Sequence, residues 1–499
     1  MNQKRTRARY FSLLLCLAFV FSLCLTLTGC GGANDAQPER QASETEVTSS
    51  EAVVDPNAVV STASILSTGD IMLHSPFLTA YYDEKSDTYD FHEIFQYVKR
   101  YTEKADYAVT NLEISLGGFE PYTGYPCFNS PDAIIDALVD AGFDMALTAG
   151  NHVGDTGFDG FERTQKVLTD KGLDWIGTVE KPSDKRYKIV DINGIKVGMV
   201  NYVYITHEGD TTYLNGVPIS DEFAQRINTF DYNRLDEFYR SMEQCMADMK
   251  ADGAEATILY IHWGEEYHLS PVAYQEKIAQ KMCDIGFDAI VGGHPHVIEP
   301  VEVITSEKTG KKTVCLYSMG NELSNQRHEL MAEDISTAHT EDGLLFYTNF
   351  SKKGDGTVEL TSVDVIPTWV HMYYNENDRR TYEIVPLKTG EDWSDLNLSA
   401  TDTGKEEAQA SYDRTMELVG KGIKAFNALG GQVTTLTDPN ASLYSDSTDG
   451  FQSDVLSESA PDEETKEASS AENDTASSSY GNDTGSHSTA TVITVSKAA

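Results

Sequence analysis

The sequence contains no Cys-x-x-Cys pair, which argues against a zinc-thiolate site. Of its seven cysteines, three lie within the first 30 residues and the other four are widely spaced. Cys283 falls in a helical pattern and Cys315 in a strand pattern. We therefore expect these two residues to be buried as small hydrophobic side chains rather than joined in a disulfide.

The sequence is also poor in positive charge. It has 38 Lys and Arg residues against 79 Asp and Glu, a formal net charge of -41, and no basic stripe. This balance excludes nucleic acid as a partner and would repel anionic lipid. The acidic excess is strongest in the C-terminal tail, which we expect to be a solvated extension.

Residues 1–30 have the composition of a targeting segment. Four basic residues precede an apolar run from Tyr10 to Leu27, and the segment ends in Leu27-Thr28-Gly29-Cys30. An apolar run of this length could span a membrane, which is one interpretation. The Leu-x-Gly-Cys ending resembles a bacterial lipobox, and it predicts that Cys30 becomes a lipid attachment site. We therefore expect an extracytoplasmic protein that is lipid-anchored to the bacterial cell membrane.

Composition divides the remaining chain into four parts. The segments flanking the central part lack any apolar period and are rich in polar residues, which predicts flexible chain there. The predicted parts are a flexible spacer at 31–62, a main domain at 63–372, a partly helical extension at 373–429 and a disordered acidic tail at 430–499.

Within the main domain, short apolar runs alternate with amphipathic stretches, a pattern typical of a parallel or mixed sheet covered by helices. An Asn193-Gly194 pair between two apolar runs predicts a hairpin. The predicted strands are 64–70, 107–113, 145–148, 187–192, 195–202, 256–261, 288–291, 313–317, 344–350 and 358–365. The predicted helices are 91–102, 132–141, 161–171, 235–249, 274–285 and 408–429.

Polar side chains follow five of these strands at the point where each strand ends, where α/β sheets gather their active sites. Two imidazoles lie on one tight turn in the segment Gly292-Gly293-His294-Pro295-His296. The alternative interpretation is that both are surface loop histidines. The set offers ligands suited to Mn, Fe, Zn or Mg, and it is large enough for two divalent ions that share a bridging group. The predicted ligands are Asp70, Glu113, Asn151, His262, His294 and His296.

Six ordered blocks between about residues 64 and 370 resemble the CapA family of poly-gamma-glutamate capsule synthesis proteins, which belongs to the calcineurin-like metallophosphoesterase superfamily. The resemblance implies an α/β fold, a metallophosphatase-like layered sandwich with two central mixed β-sheets flanked by helices. The blocks are Gly69-Asp70, Asn111-Leu112-Glu113, Gly150-Asn151-His152 followed by Asp155 and Gly157, His262-Trp263-Gly264-Glu265-Glu266-Tyr267, Gly293-His294-Pro295-His296 and Tyr317-Ser318-Met319-Gly320-Asn321.

The resemblance also implies roles for individual residues. The six predicted ligands fall on the metal-ligand positions of the superfamily. His152 matches the histidine that contacts the phosphate or protonates the leaving group, although it could instead be a supporting hydrogen-bonding residue. Asp155 could orient His152 or cap the following helix. Glu266 matches an acidic position of the His-Trp-Gly block, and a surface carboxylate is the alternative.

The sequence departs from the superfamily at two positions. Where the superfamily carries Asp-x-His, Asp70 is followed by Ile71 and Met72, so one histidine ligand is missing. Glu113 stands in a block where the superfamily carries Gly-Asp-x-x-Asp. His74 could replace the lost ligand or be an ordinary loop histidine. With fewer ligands, one ion would bind more weakly, and any phosphatase activity would be lower.

Two hypotheses about function therefore remain. The first is a metal-dependent hydrolase, acting on a phosphoester or on an amide of an anionic polymer such as poly-gamma-glutamate, either in capsule synthesis or as a general surface phosphoesterase. The second is a non-catalytic accessory protein that uses metal to bind the polymer and works with membrane-embedded capsule ligase components. Because the body is acidic, polymer binding would need metal ions or local cations such as Arg163, Lys185 and Arg186. A solute-binding lipoprotein is a third, weaker alternative.

Overall fold

The computed structural model describes residues 55–333 and 335–433. The predicted leader, with Cys30, and most of the acidic tail lie outside these residues. Among the described residues, no helix combines the length and the hydropathy needed to cross a bilayer.

Within the described residues, the strands belong to two nine-stranded sheets and a small hairpin. They are β1 (Val59–Ile71), β2 (Tyr82–Asp83), β3 (Thr88–Tyr89), β4 (Tyr107–Leu112), β5 (Met145–Leu147), β6 (Asp174–Ile176), β7 (Tyr187–Ile192), β8 (Ile195–Glu208), β9 (Thr211–Leu214), β10 (Val217–Ile219), β11 (Thr229–Asp231), β12 (Ala256–His262), β13 (Ala289–Gly293), β14 (Val301–Thr305), β15 (Lys312–Leu316), β16 (Asn321–Leu323), β17 (Asp342–Lys353), β18 (Val358–Tyr374), β19 (Arg380–Pro386) and β20 (Gln432–Val433).

Eight α-helices are described, together with short 3-10 turns. The helices are α1 (Ser75–Ala80), α2 (Lys99–Thr102), α3 (Ala133–Asp140), α4 (Gly157–Lys171), α5 (Asp221–Ala224), α6 (Leu235–Ala251), α7 (Ala273–Ile285) and α8 (Gly404–Asn427). The 3-10 turns are His92–Phe95, Tyr232–Arg234, Ala338–Glu341, Trp393–Asp395 and Leu398–Ala400.

The first sheet has the order β19-β18-β17-β1-β4-β5-β6, with β16 and β20 attached at its margins. Its β1-β4-β5-β6 half is parallel, and its other half is antiparallel. The second sheet has the order β10-β9-β8-β12-β13-β15-β14, with β7 and β11 also paired to β8. Its central strands β8, β12, β13 and β15 run parallel. Both sheets are therefore mixed.

The two sheets pack face to face, with helices on their outer faces. Successive side chains of a strand point to opposite faces. In β1, Ile65 joins the core between the sheets, while Leu66 joins the core under helices α1, α3 and α4. In β12, Tyr260 faces the other sheet, while Leu259 packs toward helices α6 and α7. The predicted layered α/β fold with two mixed sheets flanked by helices is confirmed.

The predicted hairpin is also confirmed, because β7 and β8 pair around Asn193 and Gly194. Both residues have positive φ, 54° and 86°, as a type I′ turn requires. The predicted helix at 91–102 is wrong: a 3-10 turn, His92–Phe95, and the short helix α2 replace it. The aromatic and β-branched residues of this segment have modest helix propensity, so packing of Phe95 and Val98 into the core decides its backbone.

The described strands extend past the predicted borders of the main domain. Strand β1 begins at Val59, inside the predicted spacer. Strand β19 lies inside the predicted extension and pairs with β18, which begins in the main domain. The predicted C-terminal helix is present as α8, which adds Val419, Ile423 and Phe426 to the core between the sheets. Cys283 and Cys315 are buried and free, as predicted.

Candidate metal centre

All six predicted ligands come together at the carboxyl ends of the parallel strands. Asp70 lies near the end of β1, Glu113 directly follows β4, and Asn151 lies on the loop after β5. His262 is the last residue of β12, and His294 follows β13. Because both sheets present the carboxyl ends of their parallel strands at one edge, side chains from both reach a common point.

Three groups of side chains at this point have ligand atoms within 4.8 Å of one another. The groups share members, so they form one continuous cluster. They are Asp70 with Glu113 and His296, Glu113 with His262 and His294, and Glu266 with His294 and His296.

The first position lies between Asp70, Glu113 and His296. His296 Nδ1 is 3.2 Å from Asp70 Oδ2, and its Nε2 is 3.8 Å from Glu113 Oε1. Burial opposes ionisation of Asp70, but the hydrogen bond and the charge of His296 outweigh burial and hold the pKa of Asp70 below its ordinary value. An ionised carboxylate of this kind is a ligand for a hard divalent cation.

The second position lies between Glu113, His262 and His294. His262 Nε2 is 3.7 Å from Glu113 Oε1 and 3.1 Å from Asn151 Oδ1. Burial lowers the pKa of His262 to about 3 and that of His294 well below its ordinary value. Both imidazoles are therefore neutral near pH 7, which is the form that coordinates metal.

Glu113 belongs to both positions, and its carboxylate is the clearest sign that a cation fits here. It is fully buried, and neither of its oxygens has a hydrogen-bond partner. Burial, followed by the nearby Asp70 carboxylate, raises the pKa of Glu113 well above its ordinary value. A buried carboxylate without donors is costly unless a cation compensates it. The donor set could therefore hold divalent metal, with the Glu113 carboxylate common to both groups of ligands.

The turn that carries His294 and His296 is held in an uncommon backbone conformation. The two residues have positive φ, 99° and 57°, in a region where side chains other than glycine are rare. The preceding Gly293 lies close to a ligand, because a Cβ atom there would lie 3.0 Å from Asp70 Oδ1 and would press on that carboxylate. This geometry directs both imidazoles into the cluster.

Two asparagines that were not predicted as site residues support the ligands. Asn111 Nδ2 donates to Asp70 Oδ1 at 2.6 Å. Asn321 Nδ2 donates to the main-chain oxygen of His296 at 3.1 Å, and its Oδ1 lies 3.3 Å from His296 Nδ1. Both residues stand in the sequence blocks that carry the family resemblance, and that position is the signal that could have found them. Such hydrogen bonds fix the orientation of metal ligands.

His152 and Asp155 form a buried pair beside the cluster. His152 Nδ1 is 2.8 Å from Asp155 Oδ2, and the Phe128 amide donates to the same oxygen at 2.6 Å. The Phe128 ring also meets His152 edge-on, with centroids 4.8 Å apart. Helix α4 begins after Thr156, with no side-chain cap. Asp155 therefore orients His152 and does not cap the helix.

Glu266 and His74 differ in how they relate to the cluster. Glu266 is exposed, and one of its carboxylate oxygens lies within 4.8 Å of a ring nitrogen of His294 and of His296. It therefore approaches the cluster from the solvent side. His74 belongs to none of the ligand groups found among the described residues. Its Nδ1 accepts a hydrogen bond from the Asn325 amide at 3.3 Å, which agrees with the loop interpretation.

A fourth group of carboxylate and imidazole side chains lies outside the cluster, and an arginine side chain already pairs with it. It consists of His328, Glu329 and Glu341. Arg327 pairs with Glu341 at 2.9 Å and with Glu329 at 2.7 Å. The guanidinium therefore supplies the charge that a metal ion would supply.

The fold and the cluster together define an α/β protein with a buried group of carboxylate and imidazole side chains that could hold metal. The model of the family described as bacterial capsule synthesis protein PGA_cap matches residues 64–326. The chain therefore belongs to this family, and the predicted membership is confirmed.

Two relatives and one solved structure are similar to parts of the chain. The PGA biosynthesis protein CapA of Bacillus subtilis (strain 168) is 28% identical over 309 residues, which cover 60% of this chain and 70% of that protein. The capsule biosynthesis protein CapA of Bacillus anthracis is 26% identical over 239 residues, which cover 47% of this chain and 54% of that protein. The crystal structure of TT1561 of Thermus thermophilus has 10% identity and a TM-score of 0.31, over 57% of this chain and 94% of that chain, a likeness too slight to support any inference.

Proposed function

We propose that this chain acts in the synthesis or export of a poly-gamma-glutamate capsule, as a lipid-anchored extracytoplasmic protein with a dinuclear metal centre that hydrolyses a phosphoester or an amide. Membership of the capsule synthesis family and the names of the two CapA relatives support the capsule role. The targeting segment that ends in Cys30 supports the location.

The unpartnered carboxylate of Glu113 is the observation that carries the metal centre. Asp70 and His296 would hold one ion against it, and His262, His294 and Asn151 would hold the other. When bound, two divalent ions would supply Lewis-acid activation of a substrate oxygen and of water. Carboxylate, amide and imidazole donors suit Mn, Fe, Zn or Mg.

The proton transfer falls to His152. Asp155 accepts from Nδ1 of this imidazole, which leaves Nε2 as the nitrogen that exchanges a proton with the leaving group. The edge contact from Phe128 and the burial of the pair hold the ring in one orientation. Glu266, on the solvent side of the cluster, is positioned to act on water or on the substrate that enters from that side.

A second candidate is a metal-dependent accessory protein that binds the polymer without cleaving it. The absence of the Asp-x-His histidine from the block at Asp70 favours this candidate, because a weaker ion supports less catalysis. Of the three side-chain cations that could attract a polyanion, two have acidic partners, whereas Arg186 donates to the main-chain oxygen of Gln225 at 2.5 Å. Arg163 is paired with Asp132 at 2.7 Å and Lys185 with Asp252, so the charges of both are already compensated.

Metal-dependent turnover separates the two candidates. The full chain, purified in detergent, is assayed for metal content by elemental analysis, and then with Mn²⁺ for hydrolysis of a generic phosphodiester and of poly-gamma-glutamate. The test variant is His294→Ala/His296→Ala. The matched control is His92→Ala/His268→Ala, which removes two exposed imidazoles that lie outside the ligand groups.

Two ions per chain, with turnover that is lost in the test variant and kept in the control, is the result expected of a hydrolase. Metal that is bound without turnover would favour the accessory role. If neither the native chain nor the control binds metal, the assignment of the centre is wrong. Labelling of cells with a radioactive fatty acid should mark the native chain but not a Cys30→Ala variant, and an unlabelled native chain would refute the lipid anchor.

A further inference from the structure

One imidazole of the cluster has a hydrogen-bond partner whose role the ligand set does not explain. The hydroxyl of Tyr204 lies 3.3 Å from His294 Nε2, and the two rings meet edge-on with centroids 5.2 Å apart. The other ring nitrogen of His294, Nδ1, is buried and has no hydrogen-bond partner. The two nitrogens of this ring therefore have different environments.

This difference determines how His294 can act as a ligand. A neutral imidazole has one nitrogen with a proton and one with a free lone pair, and only the second binds metal. A proton on Nε2 is accepted by the Tyr204 oxygen, which leaves the lone pair on Nδ1. The opposite tautomer would leave a buried N–H without an acceptor, a loss of about 1–3 kcal/mol.

Tyr204 is well placed to hold this arrangement. It lies on β8, which pairs directly with β12, the strand that ends at His262. Its ring also lies beside that of Tyr232, with centroids 5.8 Å apart, and the Tyr232 hydroxyl accepts a hydrogen bond from the Gly264 amide at 3.0 Å. The hydroxyl of Tyr204 is thus carried by the same sheet that presents both imidazoles of the second position.

We propose that Tyr204 is a positioning residue of the metal centre: its phenolic oxygen accepts the Nε2 proton of His294 and so directs Nδ1 toward the position shared with Glu113 and His262. This inference rests on the proposed metal centre. Hydrogen bonds of this kind to a ligating histidine typically contribute a factor of about 10–100 to metal affinity.

The test is Tyr204→Phe, which removes the hydroxyl and keeps the ring. The matched control is Tyr202→Phe, two residues earlier on the same strand, where a buried tyrosine packs against Phe238 away from the ligands. Affinities of the full chain for Zn²⁺ and Mn²⁺ are measured by competition with a chelator. The visible absorption of the Co²⁺-loaded protein reports on the ligand geometry at the same site.

Tyr204→Phe should lower the affinity for one of the two ions about 10–100-fold and alter the Co²⁺ spectrum, while Tyr202→Phe should change neither. Equal affinity and an unchanged spectrum in Tyr204→Phe would overturn the positioning role while leaving the proposed metal centre intact. Equal weakening in both variants would also overturn it, because the effect would then come from the strand. A native chain that binds no metal would instead refute the proposed centre, and the positioning role with it.

Discussion

Replacing Glu113 by Gln should abolish the stabilisation of this protein by metal without harming the metal-free fold. The carboxylate is fully buried, lacks hydrogen-bond donors and lies beside Asp70. In the absence of metal the native chain must hold either an uncompensated charge or an extra proton there, and both are costly near pH 7. Glu113→Gln removes that charge and replaces the carboxylate common to the two positions by a neutral amide, whose single oxygen cannot serve both of them.

The size of the effect follows from linkage. An ion present at 100 times its dissociation constant stabilises the native state by about 2.7 kcal/mol. For a folded region of about 380 residues, an unfolding entropy of about 2.1 cal/mol/K per residue gives about 0.8 kcal/mol/K. Each bound ion should therefore raise the melting temperature of the native chain by about 3 °C. In Glu113→Gln this rise should fall to near zero.

Differential scanning calorimetry with EDTA and with Mn²⁺ measures both effects. In EDTA the variant should melt at or above the native temperature. Glu299→Gln is the matched control, because Glu299 is another buried carboxylate whose burial raises its pKa to about 8, and it lies outside the ligand groups. An unaltered Mn²⁺-dependent rise in Glu113→Gln would refute the shared-carboxylate argument, as would loss of the rise in Glu299→Gln.

The remaining predictions concern proton transfer, pH and the C-terminal helix. His152→Ala should lower turnover about 10²–10⁴-fold with metal content unchanged by elemental analysis, and Asp155→Asn should lower it less. Burial raises the pKa of Glu322 to about 8, so its contribution to stability is present at acidic pH and is lost, at about 1.4 kcal/mol per unit, as pH rises from about 4.5 to about 8. Urea unfolding of Glu322→Gln should show a correspondingly flatter pH dependence. Arg414 Nη2 donates to the buried Asp342 carboxylate at 2.7 Å, but burial still raises the pKa of Asp342 to about 7. The carboxyl can therefore take up a proton when Arg414 is removed, and Arg414→Ala should cost about 1–3 kcal/mol in urea unfolding.

Each of these predictions has an outcome that contradicts it. Loss of bound metal in His152→Ala would mean that His152 is a ligand. An Asp155→Asn variant with native turnover would remove the orienting role. For Glu322, an unchanged pH slope would show that the carboxylate is solvated in the folded state. For Arg414→Ala, adding Asp342→Asn should restore much of the lost stability, and failure to do so would show that the loss has another cause.

The sequence predicted which side chains converge at the cluster, because their positions depend on a simple topological rule. Asp70, Glu113 and Asn151 end strands of one sheet, and His262 and His294 end strands of the other. Parallel strands present their carboxyl ends at one edge, so the residues there converge whatever the exact register. Charge and residue type were then enough to indicate metal.

The supporting residues depend on register, which the sequence does not specify. Asn111 reaches Asp70 because β4 pairs with β1 so that the two residues are neighbours, after an irregularity between Thr68 and Asp70. Tyr204 reaches His294 only through the pairing of β8 with β12 and of β12 with β13. Apart from the family block that contains Asn111, neutral side chains in apolar strands give no local signal of such contacts.

The two positions of the cluster differ in the number of imidazoles they contain. The position of Asp70 and His296 lacks the histidine of the Asp-x-His block, and His74 does not replace it because its Nδ1 is engaged with a main-chain amide. The position of His262 and His294 keeps its imidazoles and the nearby amide oxygen of Asn151. If the proposed centre takes up two ions, we expect it to hold them unequally: the imidazole-rich position would favour Zn, Fe or Mn, whereas the carboxylate position would leave more of its shell open to an oxygen ligand from an anionic substrate.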